Sequence, residues 1–274
     1  MLSISECPAD SLLHIAAPSH RGLETLHLDS LQFIPPGSPY ATFPALASSL
    51  LLLPKLRSLK LALNCPQLPE KADDVVFHLP SLTSLDLLSP ARSLGSLPTF
   101  HAPKLESFNS ANGLDCASLA TLALSFPRLV SLETGSYFEC AIDATATALE
   151  STLSSQPNPW PNLRVFTTVE RLPIELCAAA CQWTQLRVFQ AHLPSSINSL
   201  RIVALLRSLL ELTSLTLSWY QAPAPLEAFT LAPTVEPVSL PKLEWIDTAF
   251  ACDEMFATLR FPNLVRFAPA RCAS

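Results

Sequence analysis

Apolar residues recur along this chain in one fixed arrangement, an apolar residue and proline followed by leucines spaced three and then two apart. The fullest copies are Leu53-Pro54-Lys55-Leu56-Arg57-Ser58-Leu59-Lys60-Leu61 and Leu79-Pro80-Ser81-Leu82-Thr83-Ser84-Leu85-Asp86-Leu87. Shorter copies begin at Ala102, Phe126, Trp160, Leu240 and Phe261, and three without the proline sit at Leu23–Leu28, Leu186–Phe189 and Leu212–Leu217. In an extended chain side chains alternate between faces. The first, fourth and sixth places of the phrase therefore point into a core, and the third and fifth point away from it. Each phrase predicts one short strand, buried on one side only.

The first leucines of the phrases are Leu23, Leu56, Leu82, Leu105, Leu129, Leu163, Leu186, Leu212, Leu243 and Leu264. Their steps are 33, 26, 23, 24, 34, 23, 26, 31 and 21 residues, about 27 on average. A short leucine phrase returning at roughly 20–29 residues is the mark of leucine-rich repeats. The expected fold is α/β: a curved leucine-rich repeat solenoid of about ten irregular repeats over residues 20–274, with residues 1–19 as an N-terminal extension or cap. Parallel strands would line the concave face, with helices and turns on the convex face. Parallel pairing needs a crossover between strands, and several intervening runs read as helices. Asp115 can cap 116–125, Asp143 can cap 144–154, Ser196 can open 197–211 and Asp253 can open 254–260. The run 44–53 starts with proline and is rich in alanine and leucine. Seven phrases carry the proline, which ends the crossover ahead of the strand.

Composition narrows the function. The 274 residues are 49% hydrophobic and only 15% charged, with a net charge of −6 and no basic tract, so no nucleic-acid footprint is expected. The apolar stretch 202–217 carries Arg207 and Glu211, too interrupted to span a bilayer. The N-terminus lacks the basic start and apolar block of a signal peptide. Eight scattered cysteines form no terminal cluster, which points to a reducing compartment, cytoplasm or nucleus. Cys177 and Cys181 lie one helical turn apart but lack the partners of a zinc site, so they read as buried small residues. No metal, cofactor or catalytic residue is expected. With five glycines and neither phosphate-loop motif, phosphate cradles are excluded.

The phrases LPSLTSLDL, LPKLRSLKL, FPNLVRF and WPNLRVF resemble the leucine-rich repeat region of fungal F-box proteins, over about residues 20–270. In that family the repeats select a target, while an N-terminal F-box bundle docks on the Skp-type adaptor of a cullin ubiquitin ligase. The resemblance therefore implies a substrate-recognition role with an indirect link to adaptor and cullin. Residues 1–22 leave too little room for the bundle. The F-box-like string Leu172-Pro173-Ile174-Glu175-Leu176 falls between repeat phrases, where a crossover helix is expected.

The expected function is a non-enzymatic, monomeric module that binds a protein partner. A free-standing scaffold and a GTPase activator using Arg92 or Arg171 are the alternatives. The third and fifth places form the binding face, and serine fills the third place in five repeats. Trp245 breaks that small polar lining, so Trp245, Asp247 and Arg266 are the first candidate patch, unless Trp245 folds beneath the insertion at 221–239. The second is a rim of aromatics after two strands: Tyr137, Phe138, Trp219 and Tyr220. Those rings suit either recognition or plugging the repeat ends.

Overall fold

The computed structural model describes residues 1–5, 20–32, 42–64, 76–88, 99–112, 114, 116–136, 149, 151–156, 158–172, 174–193, 199–219, 237–248 and 259–269. The chain divides into two compact units, residues 1–129 with 134–142, and residues 130–133 with 143–274. The first contains β1 (Leu2–Ser5), β2 (Thr25–Gln32), α1 (Thr42–Leu51), β3 (Ser58–Asn64), β4 (Val76–His78), β5 (Ser84–Leu88), β6 (Thr99–His101), β7 (Ser107–Asn112) and α2 (Cys116–Ser125). The residues of β8 (Ser131–Ser136) are divided between the two. The second contains β9 (Val165–Arg171), α3 (Ile174–Ala180), β10 (Val188–Leu193), α4 (Ser199–Ser208), β11 (Ser214–Trp219), β12 (Val238–Ser239), β13 (Trp245–Thr248), β14 (Leu259–Arg260) and β15 (Arg266–Pro269).

Every phrase yields a strand that begins two residues after its anchor leucine, from Thr25 after Leu23 to Arg266 after Leu264. Strands run parallel in the order β1-β2-β3-β5-β7 in the first unit and β9-β10-β11-β13-β15 in the second. The register keeps equivalent places opposite one another. Thr25, Ser58, Ser84 and Ser107 form one row, and Val165, Val188, Ser214, Trp245 and Arg266 form another. This is the α/β leucine-rich repeat fold. Residues 2–5, expected as an extension, pair with β2 as Leu2↔Leu26 through Ser5↔Asp29.

Two hydrogen-bond patterns make each repeat. The anchor N–H closes a turn onto the carbonyl three residues earlier: Leu56 to Leu53 (3.1 Å), Leu82 to Leu79 (3.1 Å), Leu105 to Ala102 (3.0 Å), Leu163 to Trp160 (3.1 Å). The proline occupies the second position of that four-residue turn, where its fixed φ suits and no N–H is needed. It shapes the corner as well as ending the crossover. The second-place carbonyl then accepts the N–H groups of places two and three of the next repeat. Arg57 O takes Thr83 N (2.8 Å) and Ser84 N (2.9 Å), and Thr213 O takes Glu244 N (2.9 Å) and Trp245 N (3.1 Å). Thr83 and Thr213 add their hydroxyls to the same preceding carbonyls, at 3.1 and 3.0 Å.

Beneath this ladder lies the core. The fourth-place residues from Leu26 to Ile246 are all buried, as are the turn residues Leu53, Leu79, Phe126, Trp160, Trp183, Leu209 and Leu240. Trp160, Trp183, Phe166 and Phe189 run as a chain of rings with centroids 5.2–5.8 Å apart.

The crossovers are mixed. Helix α1 overlaps the expected run 44–53, α2 matches 116–125 and α4 lies within 197–211. Leu149 and residues 151–155 are helical, overlapping the expected run 144–154 and passing its end by one residue. The capping residues Asp115, Asp143, Ser196 and Asp253 lie outside the described residues. Helix α3 begins at Ile174, within the Leu172–Leu176 string, and buries Leu176, Cys177, Ala179 and Ala180. Four crossovers instead carry short strands, paired in parallel as β4 with β6 and β12 with β14. The helical turn expected to reach Arg260 is corrected there: Leu259 and Arg260 are strand residues facing Val238 and Ser239. Ladder bonds to β12 satisfy their backbone, and Leu259 is buried.

Candidate functional site

The third and fifth places carry the face opposite the core. Most of their side chains are small, polar and half-buried, among them Ser58, Ser84, Ser107, Ser131 and Ser214. Serine hydroxyls on this face reach neighbours along the strand, as when Ser131 Oγ donates to Glu133 Oε1 at 3.1 Å.

Trp245 opens β13 in the third place and is 42% exposed. Register sets Arg266 of β15 directly beside it. The Arg266 guanidinium carbon lies 5.0 Å from the Trp245 ring centroid. At that distance the ring's negative face attracts the cation, by about 0.5–1 kcal/mol at an exposed site. Asp247 shares this face of β13, two residues along, and is half-buried. The three share one face of two paired strands, and the cation–π contact between two of them rests on the parallel register.

Two neighbours were not singled out by the sequence. Val265 is 83% exposed and Phe267 is 45% exposed. Phe267 fills the fourth place of its phrase, which is buried in every other repeat. Among the described residues no later strand lies against β15. Its place in the last phrase was the available signal. The patch therefore combines one indole, one guanidinium and one carboxylate on two adjacent strands, while Val265, just before β15, and Phe267, within it, alternate with Arg266 and point away from that face.

Of the aromatic rim, Trp219 ends β11, and Tyr137, Phe138 and Tyr220 lie outside the described residues, as do Arg92 and the insertion 221–236. Arg171 ends β9. In the crossover region Cys177 is buried, and the Cys181 thiol donates to the Cys177 carbonyl at 3.6 Å. Burial raises the pKa of the Cys181 thiol above its ordinary value, partly offset by its hydrogen bonding with Ser208. Both cysteines pack as small residues. Among the described residues no three His, Cys, Asp or Glu side chains gather as a metal cluster, and no helix is long and apolar enough to cross a membrane.

No model of a known protein family matches the chain, and no curated protein matches it. Solved structures do. A chain of the crystal structure of the TLR13–ssRNA13 complex is 17% identical, with a TM-score of 0.44 over 96% of this chain and 37% of that one. An internalin (inlF) from Listeria monocytogenes is 15% identical, with a TM-score of 0.34 over 86% of this chain and 69% of that one. The chain spans little more than a third of the first of these.

Proposed function

We propose that the chain is a non-enzymatic repeat module that binds a protein partner on its open strand face, centred on Trp245 and Arg266. The observation carrying this reading is a partly exposed tryptophan with an arginine over its ring, on a face where serine and threonine recur and no other aromatic ring except His27 occupies a third or fifth place. Tryptophan and arginine are enriched among interface hot spots, where a few residues supply most of the affinity. Asp247 completes the contact surface. A charge-steered encounter would depend steeply on salt. This patch relies on an indole as its main anchor, so partner binding depends only weakly on ionic strength.

Trp245→Ala is expected to weaken capture of the native partner by about 2 kcal/mol, roughly thirtyfold. The unfolding midpoint should stay within a degree or two, because the side chain lies on the surface. Binding that survives the substitution moves the site to the rim containing Tyr137, Phe138, Trp219 and Tyr220.

The finer reading is that this module recognises substrates for a cullin ubiquitin ligase in the cytoplasm or nucleus. The resemblance of the repeat phrases to F-box proteins supports it. Purifying the native full-length protein from its own cells tests it directly. A Skp-type adaptor and a cullin in the eluate support the ligase role. Their absence leaves a free-standing scaffold.

A further inference from the structure

We propose that His78 and His101 form a two-imidazole site for a late first-row divalent cation such as Zn²⁺, Ni²⁺ or Cu²⁺. Strands β4 and β6 pair in parallel with Val76 opposite Thr99, Phe77 opposite Phe100 and His78 opposite His101. Phe77 and Phe100 are buried, with their rings stacked at 5.0 Å. Alternation then forces both histidines onto the opposite, exposed face. The buried ring pair fixes the register, and the Leu79 N–H donates to the His101 carbonyl at 3.0 Å, extending the pairing just past His78.

The spacing suits a shared cation. The two imidazole centroids are 5.5 Å apart, with ring planes at 56°. A metal lies about 2.0–2.1 Å from a coordinating imidazole nitrogen, hence about 3.2 Å from the ring centre. Two such arms at a tetrahedral angle set the centroids about 5.2 Å apart, and at 120° about 5.5 Å. Small side-chain rotations therefore suffice to aim one nitrogen of each ring at a common point. Imidazole pairs favour zinc, copper and nickel, whereas magnesium and calcium prefer oxygen ligands. Among the described residues no third His, Cys, Asp or Glu joins the pair. The other described histidines lack this arrangement. His27 lies opposite Ser3 and Lys60, and His192 lies opposite Arg171 and Ser218.

Calorimetric titration of the full chain with ZnCl₂, NiCl₂ and MgCl₂ tests the site. One saturable site for zinc and nickel, with no heat from magnesium, is expected. His78→Asn and His101→Asn should each weaken binding about tenfold or more, at least the cost of losing an outer-shell partner. The double variant should bind no more weakly than either single one, because the first loss already breaks the chelate. Without metal, all three should keep the wild-type melting temperature, since both side chains are exposed. Substoichiometric Cu²⁺ should broaden the His78 and His101 ring resonances together in the unmodified protein, a readout that needs no variant. Single variants that bind like wild type, magnesium binding of equal strength, or broadening that begins at other histidines would each overturn the assignment.

Discussion

Gly135 of β8 lies against the neighbouring backbone so closely that a Cβ would run into the Ala111 carbonyl. Backbone cannot swing aside as the end of a flexible side chain can. Gly135→Ala should therefore destabilise the protein by about 1–3 kcal/mol, the usual range for forced overpacking, and urea unfolding measures it. A second residue-scale effect comes from His192, on the same face of β10 as Val188 and Gln190. Burial lowers its pKa below 6.5 by disfavouring the imidazolium. The unfolded chain then takes up a proton at a pH where the folded chain does not. Stability from this group is complete above 6.5 and falls as the pH drops through 6.5 toward the lowered folded value. The unfolding free energy should decline as the pH falls below 6.5, and His192→Gln should flatten that decline. An unchanged slope would assign the pH dependence to other groups.

At the scale of one repeat, the fourth and sixth places share a fixed volume. Where the fourth is leucine the sixth is often leucine too, as in Leu26/Leu28, Leu59/Leu61, Leu85/Leu87 and Leu215/Leu217. Where the fourth is phenylalanine the sixth shrinks: Phe108/Ser110, Phe166/Thr168 and Phe189/Ala191, all buried. Close-packed interiors leave no slack for a ring and a long side chain together. Ala191→Leu, beside Phe189 and next to the register shift between β9 and β10, should cost about 1–3 kcal/mol. Equilibrium denaturation should show a lower midpoint at unchanged slope; a gain in stability would mean a cavity lies there.

The repeat strands were legible in the sequence because each is set by several leucines at fixed spacing, reinforced by proline at the corner. Strands β4, β6, β12 and β14 were not. Two or three residues carry no measurable alternation, and their pairing depends on residues brought together only by stacked repeats. The same reason hid His78 beside His101 and Trp160 beside Trp183, partners 23 residues apart in each case. Trp245, Asp247 and Arg266 could be grouped because all occupy outward phrase positions. The exposure of Phe267 could not be read from its position within the phrase, since burial there depends on a neighbour on each side.

Within each unit strand order follows chain order, so each interior repeat strand bonds to the repeats before and after it. Stability in such arrays approximates a sum of repeat terms and nearest-neighbour terms. Damage to one repeat should therefore spread locally. Leu85 sits at the fourth place of β5 and is fully buried, so Leu85→Ala should cost about 2–5 kcal/mol. Its strand pairs with β3 on one side and β7 on the other, in register from Ser84 onward. Hydrogen exchange reads the consequence amide by amide, because protection reports the free energy of the opening that exposes each group. Protection should fall most in β3, β5 and β7, less in β2, and least in β1, three strands away in the ladder. A graded loss of this kind marks a chain whose repeats open in sequence. An equal loss from β1 through β7 would instead show that the first unit opens as one cooperative block, with the shared leucine core outweighing the boundaries between repeats.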